Sequence, residues 1–550
     1  MAAAAGEKKR VVILGGGFAG VYTAMYLEQK LGDRDDVEIA LVNRENYLVY
    51  QPMLAEVVSG NVGILDTISP IRRLVKRTDL YVRDVQAVDL EAQTVTLSQG
   101  FRPRPYVIHY DHLVLATGSV TDFRGMPGLP EHAMPFKTLA DAIHLRNHLI
   151  HVLEQAAIET DPELREQLLT FVVAGGGFSG TEVVAELNDF VRHVAKTYRK
   201  IDPKQIRVVL LHTGERVLDK EVSKDLSIYA TEILQKRGIE LVLKSRLKAA
   251  SADAAILQDG KRIPTKTLIS TVPASPNPII ETLSLPKDRG KVKADRQMQV
   301  EGTSNIWALG DCALIPNPSG EGFCPPTAQH AVRMAKVTAH NVVATIRGGA
   351  RETFNFEGLG KMGLLGHHSA VAELPGGIKL SGFLAWVMWR TLYWMKMPGI
   401  DRKVKVAISW ATDLLLPPDL VQLKLADSRA VAQAHFEPGE AVFHQGDLGD
   451  SLYIILRGEA EVVREDDGAQ KVLARLGPGE YFGEMALLNE NTRGATIRCA
   501  TAMDVLSLHK GDFSQLVANL PDLRRSFDSV MAKRMANTQE AVARDGNGQG

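Results

Sequence analysis

Apolar positions fall into two repeating patterns along the chain. Residues 10–42 run from a continuous β-branched stretch, VVIL, through a glycine turn into an amphipathic stretch, VYTAMYLEQKLG, and back to a buried run, VEIALVN. The same order returns at 170–212, as FVVAGGGFSG, then TEVVAEL, then IRVVLLH. Strands that are apolar at every position, not at alternate ones, belong to a parallel sheet covered on both faces. Two shorter apolar strands ending in glycine turns follow the same rule, DHLVLATGS at 111–119 and TSNIWALGDCA at 303–313. From about 435 the period changes to two. Short alternating strands with regular glycine turns (YIILRGEAEVV, TIRCATAMDVLSLH) predict an all-β roll. A closing helix and a polar tail follow.

The predicted architecture is therefore α/β with two Rossmann-like dinucleotide-binding domains, a helical segment, and an all-β roll with flanking helices. The expected boundaries are 8–122 and 291–350 for a first nucleotide domain and 123–290 for a second one inserted within it. Segment 351–425 follows, then the roll at 430–540 and a disordered tail at 541–550. At 550 residues the chain is long enough for several cores. Its 64 Lys and Arg balance 65 Asp and Glu, so no electrostatic footprint for nucleic acid is expected. Cys312, Cys324 and Cys499 form no CxxC pair and no cluster with histidine, so neither a metal site nor a disulfide framework is expected. The first residues show no targeting signal, and no apolar run is long enough to span a bilayer.

Both glycine turns follow a strand and open a helix, the context in which GxGxxG seats a pyrophosphate. Gly15 and Gly175 make the turn. Gly17 and Gly177 let backbone approach the phosphates, and Gly20 and Gly180 let the helix pack on the sheet. With Ala116-Thr117-Gly118 and the Trp307-to-Asp311 element, these motifs resemble the two-dinucleotide-domain flavoproteins. The resemblance implies FAD at the first turn, held also by Phe18, Ala19, Arg44 and Gln51, and a nicotinamide dinucleotide at the second, held also by Phe178 and Ser179. It further implies that Asp311, beside Gly310, hydrogen-bonds the ribityl chain. The second strands end in Asn43 and His212 where an acid usually meets the ribose hydroxyls. Asn43 can still bond a hydroxyl. His212, with Arg216 and Lys220 downstream, leaves NADPH open beside the favoured NADH, and it reads equally as a strand-end residue turned from ligand.

Lacking a redox cysteine pair, residues 8–425 look like a type II NADH:quinone oxidoreductase. Asn46 to Pro52 resembles the family's segment along the flavin, Phe178 to Glu182 its glutamate near nicotinamide and quinone, and Pro326 to Ala331 the start of its AQxAxQ helix. That likeness gives Glu182 proton handling, Gln329 a donor role toward a quinone carbonyl, and Ala328 a place at the flavin. Lys379 resembles a family lysine near the flavin. Arg333 stands where the family has its second glutamine. First-turn acids also stabilise helix dipoles, the alternative reading of Glu182.

Four of the five tryptophans fall in 351–425. There Phe383, Leu384, Trp386, Val387, Leu392 and Tyr393 lie among Arg390, Lys396, Arg402, Lys403 and Lys405. An aromatic helix with basic flanks suits a bilayer interface, with a core or dimer-packing helix as the alternative reading. The expectation is peripheral, monotopic association with the cytoplasmic face of the cell membrane, in a homodimer.

In the roll, Phe482-Gly483-Glu484-Met485-Ala486 through Arg493-Gly494-Ala495 resembles the phosphate-binding cassette of cyclic-nucleotide-binding domains. The likeness implies that Glu484 accepts from the ribose hydroxyl and Arg493 pairs with the cyclic phosphate. Guanine-selective members often carry Thr or Ser after the Arg, so Gly494 and Ala495 point to cAMP as a regulatory ligand. The leading expectation is a quinone reductase under cyclic-nucleotide control. Two others stay open: a soluble NAD(P)H-dependent flavoprotein reducing another acceptor, and a redox sensor with little turnover.

Overall fold

The computed structural model describes residues 8–32, 36–98, 106–121, 123, 125–271, 274–413, 416, 419–423, 431–447, 451–466, 469–484 and 493–509. The closing helix and polar tail expected after the roll, and the site positions Met485 and Ala486, lie outside them.

The chain forms two compact units, the first of residues 1–122, 134–246 and 265–422. Its chain order begins with β1 (Lys9–Leu14), α1 (Phe18–Leu31), β2 (Val37–Asn43), α2 (Leu54–Ser59), β3 (Asp79–Val82) and β4 (His112–Leu115). It continues with β5 (Thr170–Ala174), α3 (Phe178–Ala195), β6 (Arg207–Leu211), β7 (Ile239–Val242), β8 (Thr267–Ser270), β9 (Ile306–Ala308), α4 (Ala328–Arg347), α5 (Gly382–Lys396) and α6 (Ile400–Asp413). One sheet is ordered β9-β4-β1-β2-β3, so the chain returns to its first sheet after the whole second nucleotide fold. The other contains β8-β5-β6-β7 in that order. Both pair in parallel: Leu14 stands beside Val42, and Ala174 beside Leu211. The apolar strand runs account for this, since Val11 to Leu14 and Phe171 to Val173 are wholly buried between helices.

Both turns after β1 and β5 need glycine. Gly15 and Gly175 sit at φ +111 and +116, and a Cβ on Gly20 or Gly180 would strike the Gly15 or Gly175 carbonyl oxygen. Each third glycine thus lets its helix lie against the strand it follows.

The second unit contains residues 123–133, 247–264 and 423–550. Two four-stranded antiparallel sheets form the roll, one ordered Val431–Phe436, Met503–His509, Ser451–Arg457, Tyr481–Phe482 and the other Ala441–Phe443, Thr496–Cys499, Ala460–Asp466, Ala469–Leu476. Phe436, Ile455, Phe482, Ile497 and Val505 fill its core. Segments 123–133 and 247–264, read from sequence as parts of the second nucleotide domain, belong here. The later one forms a three-stranded antiparallel meander (Leu247–Ala250, Ala254–Leu257, Arg262–Pro264), and its Ala250 N–H donates to the Pro127 carbonyl of the earlier one at 3.0 Å. In the earlier one His132 Nε2 donates to the His435 carbonyl at 2.8 Å. A parallel-sheet pattern in the flanking strands gave no sign of this change of partner.

Candidate functional site

At the first turn, Gly17 precedes α1, whose opening residues are Phe18, Ala19 and Gly20. Asn43, at the end of β2, accepts the Gly16 N–H through Oδ1 at 2.8 Å and donates to the Glu45 carbonyl. Its amide thus fastens strand to turn. Arg44 forms an exposed pair with Asp84 at 2.6 Å. Beside the turn run Ala116, Thr117 and Gly118 (φ +65), and Gly310 (φ +73) approaches Ala19. Thr117 Oγ1 is buried and, among the described residues, has no hydrogen-bond partner beyond the neighbouring Cys312 thiol, so a dinucleotide could satisfy it. Asp311 accepts from Ser119 Oγ at 2.8 Å, and Lys137 Nζ donates to the same hydroxyl at 2.5 Å. Glycine cradle, helix start, buried hydroxyl and carboxylate fit FAD.

The second turn repeats the device with different chemistry. His212 Nδ1 accepts the Gly176 N–H at 3.1 Å, so the ring proton sits on Nε2, which donates to Asp219 Oδ1 at 3.2 Å. Asp219, seven residues past His212, returns a carboxylate to that end of the sheet, and Arg216 Nε is buried with no partner among the described residues. Asp219 escaped the sequence reading because the motif places the acid on the strand itself.

The openings of α1 and α3 meet at one cavity of about 970 Å³. Phe18, Gln51, Phe178, Ser179, Glu182, Ala328 and Gln329 line it, whereas Asn43, Arg44 and His212 lie outside the lining. Tyr50 and Tyr393 line it as well, and Tyr50 Oη donates to the Tyr393 carbonyl at 2.9 Å. Glu182 is half-buried, its Oε1 accepting the Leu364 N–H at 3.1 Å. Desolvation, helped by the charge of Glu56, pushes its carboxyl up to about 8. One turn on, Glu186 is likewise pushed up to about 8 by burial and Glu56, while Asn61 donates to it at 3.1 Å and Arg390 binds Glu56 at 2.7 Å. This buried carboxyl group on α2 and α3 escaped sequence reading, although Glu182 and Glu186 stand four apart, one helical step.

Gln329 is held at both ends, donating to the Gly360 carbonyl and accepting the Leu359 N–H. Its side chain therefore positions the 359–360 backbone at the cavity. Lys379 requires correction. It sits at a strand edge, outside the lining, and pairs with Asp225 at 3.0 Å. The cavity's own lysines are Lys137, Lys336, Lys361 and Lys396.

The aromatic segment divides in two. Phe383, Leu384, Val387 and Met395 on α5 and Ile400, Val404 and Ile408 on α6 are exposed. Trp386 and Trp389 are buried, Tyr393 and Leu392 turn to the cavity, and Arg390 and Arg402 are buried too. The expected basic flank thus loses Arg390, which is packed between Trp386 and Trp410 with its charge on Glu56. Among the described residues no helix is long and apolar enough to cross a membrane.

In the roll Phe482 stacks on Tyr453 at 5.2 Å. Gly483 takes φ +89, where a Cβ would press on the Arg493 guanidinium. Glu484 and Arg493 are both buried. Arg493 donates to the carbonyls of Gly483 and Ser451 at 2.8 and 2.9 Å and lies over the Phe443 ring at 4.0 Å. The structure thus brings Phe482, Gly483, Glu484 and Arg493 together, with Gly494 and Ala495 in the following bend.

Comparison with known proteins matches residues 9–335 to the pyridine nucleotide-disulphide oxidoreductases, 359–417 to the NDH2 C-terminal domain and 433–519 to the cyclic nucleotide-binding domain. The chain is 30% identical over 447 residues to the type II NADH:quinone oxidoreductase Ndh of Mycobacterium tuberculosis, covering 78% of this chain and 93% of that protein. It is 31% identical over 413 residues to the demethylphylloquinone reductase NdbB of Synechocystis, covering 74% and 96%. The solved structure of NDH2 from Plasmodium falciparum in complex with NADH superposes with a TM-score of 0.69 at 18% identity, covering 76% of this chain and 100% of that one, and so shares the fold.

Proposed function

The chain belongs to the pyridine nucleotide-disulphide oxidoreductases, and among them to the type II NADH:quinone oxidoreductases, and on that premise we propose that it moves two electrons from NADH through FAD to a quinone, on the cytoplasmic face of the cell membrane, under the control of a cyclic nucleotide bound by its C-terminal domain. The observation that carries the reading is the single cavity shared by the helices of both glycine turns, with Glu182 on its wall. Its volume suits two stacked rings.

FAD held at the first turn would supply the two-electron carrier between dinucleotide and acceptor. The chain's own part is placement and charge. Gly177 and the start of α3 receive the dinucleotide phosphates, and Phe178 and Ser179 set its reactive ring at the cavity. Asp219, held by the His212 Nε2–H, favours ribose hydroxyls over a 2′-phosphate and so NADH over NADPH. The start of α4 at Ala328 turns its N-terminus to the cavity and stabilises negative charge gathering there. Glu182, neutral at pH 7, keeps Oε1 on the Leu364 N–H and offers a proton at Oε2 to the acceptor being reduced.

The exposed apolar row on α5 and α6 would enter the bilayer interface, where a lipid-borne quinone is found. Arg493 and Glu484 would take the phosphate and ribose of cAMP, the guanidinium exchanging its two backbone carbonyls for phosphate oxygens. Coupling between that site and the redox site must be reciprocal.

The test is NADH oxidation by the purified full chain with a water-soluble quinone, with and without cAMP. Quinone-dependent turnover altered by cAMP is expected. Turnover only with another acceptor, or cAMP binding without turnover, would contradict the reading.

A further inference from the structure

Five of the residues lining the cavity are Lys or Arg, and one, Glu182, is acidic. Four of those cations, Arg333, Lys336, Lys361 and Lys396, come from α4, α5 and the strand Lys361–Leu364 that lies between them in sequence. Arg333 and Lys336 follow Gln329 at steps of four and three, which puts all three on one stripe of α4. Across from them on α1, Tyr22 and Tyr26 continue the row begun by Phe18, with ring centroids 6.3 and 6.2 Å apart along the row, and they line the same cavity. Desolvation and then the nearby Arg333 charge lower the Lys396 ammonium.

Like charges gathered at one opening repel unless an anion sits among them. Among the described residues none of the four is paired with a carboxylate. The guanidinium of Arg333 is half-buried, lies 4.0 Å over the Phe356 ring, and spends one N–H on the Gln329 carbonyl. The dinucleotide phosphates do not account for them. Those are received at the glycine turns, while Tyr22 and Tyr26 lie about 6 and about 12 Å further along α1. Arg333 is also this chain's departure from the two-glutamine helix that the rest of its sequence resembles.

We propose that this wall seats an anionic substituent of the electron acceptor: a quinone-type ring rests against Tyr22 and Tyr26 while its carboxylate or sulfonate is held by Arg333, with Lys336 and Lys396 beside it. Arg333 offers the bidentate fork that such groups fit, and the tyrosine faces offer stacking to the ring. The proposal rests on the cavity being the acceptor site and adds the charge class of the acceptor.

The experiment compares kcat/KM for 1,4-naphthoquinone-2-sulfonate and uncharged 1,4-naphthoquinone, using the full chain loaded with FAD and reduced by NADH. The ratio of charged to uncharged should fall about tenfold in R333Q, the loss of one charge-assisted contact, and R333K should restore part of it. Raising ionic strength from roughly 0.01 to roughly 1 M shortens the Debye length from about 30 to about 3 Å and should lower the wild-type ratio in the same direction. Retained flavin and a cooperative melt establish that R333Q is folded; if it is not, the wild-type salt dependence decides. A ratio that ignores both the substitution and salt overturns the proposal. So does an unmoved ratio with weakened binding of R333Q to phosphatidylglycerol vesicles, which would make the row a lipid-headgroup seat. If neither quinone reoxidises the NADH-reduced protein, the acceptor-site reading itself fails.

Discussion

At the scale of single residues, the buried carboxyls make the sharpest statements. Glu182 and Glu186, each pushed up to about 8 by burial, hold protons in the folded chain that they would lose above about 4.5 when unfolded. The folded state therefore binds more protons between those pH values, and stability falls as pH rises from about 4.5 to about 8. Replacing Glu186 by Gln removes its share of that dependence and leaves that of Glu182. Melting temperature of E186Q should exceed wild type by a few degrees at pH 8 and match it near pH 5, as thermal denaturation across pH would show. For Glu182→Gln the expected loss is in turnover: kcat with quinone drops about 10²-fold, the scale of one positioned proton donor, while the flavin still bleaches with NADH. Lys137 makes a third case. Its ammonium is held through Ser119 to Asp311, so K137M should loosen flavin retention, measured as free flavin released on gel filtration. Sequence pointed to Glu182 and Asp311 because motifs carry them. It was silent on Glu186, Lys137 and Asp219, whose roles come from partners 18 to 192 residues away or from a turn that no motif records.

At the scale of elements, the glycine turns were the most legible features, since a parallel strand, a turn that needs positive φ and a helix packed on backbone leave little freedom to residue type. The helical segment was half legible. Composition showed its aromatics, but an all-round apolar helix does not announce which side faces inward, and α5 puts Trp386, Trp389 and Arg390 inside while Phe383 and Leu384 face out. That division gives a prediction. The double substitution L384E and I400E removes two apolar side chains from the exposed row and adds charge. It should abolish sedimentation with phospholipid vesicles and leave the melt close to wild type, because both residues are more than 60% exposed. Retained vesicle binding would count against the α5 and α6 face as the membrane surface.

At the scale of the whole molecule, fold order was readable and partnership was not. The return of β9 to the first sheet followed from the TSNIWALGD strand, whereas the meander at 247–264 joined the unit of the roll because its antiparallel strands pair among themselves and not with the parallel sheet. A second consequence concerns the cyclic nucleotide-binding domain. Arg493→Gln should cut cAMP affinity at least about tenfold, the size of a lost guanidinium–phosphate contact, measured by calorimetry on the full chain. If cAMP regulates, the same substitution should erase its effect on NADH oxidation, and NADH should change cAMP affinity by the same factor that cAMP changes NADH affinity.

All of this depends on two dinucleotide seats opening on one cavity. The most direct test is anaerobic and spectroscopic: purified chain reconstituted with FAD, titrated with NADH, then given one equivalent of a soluble quinone. The yellow absorbance should be retained through gel filtration, bleach with one NADH per flavin and return in full on adding quinone. A protein that stays colourless, or one that bleaches with NADH and does not recover with quinone, would contradict the account.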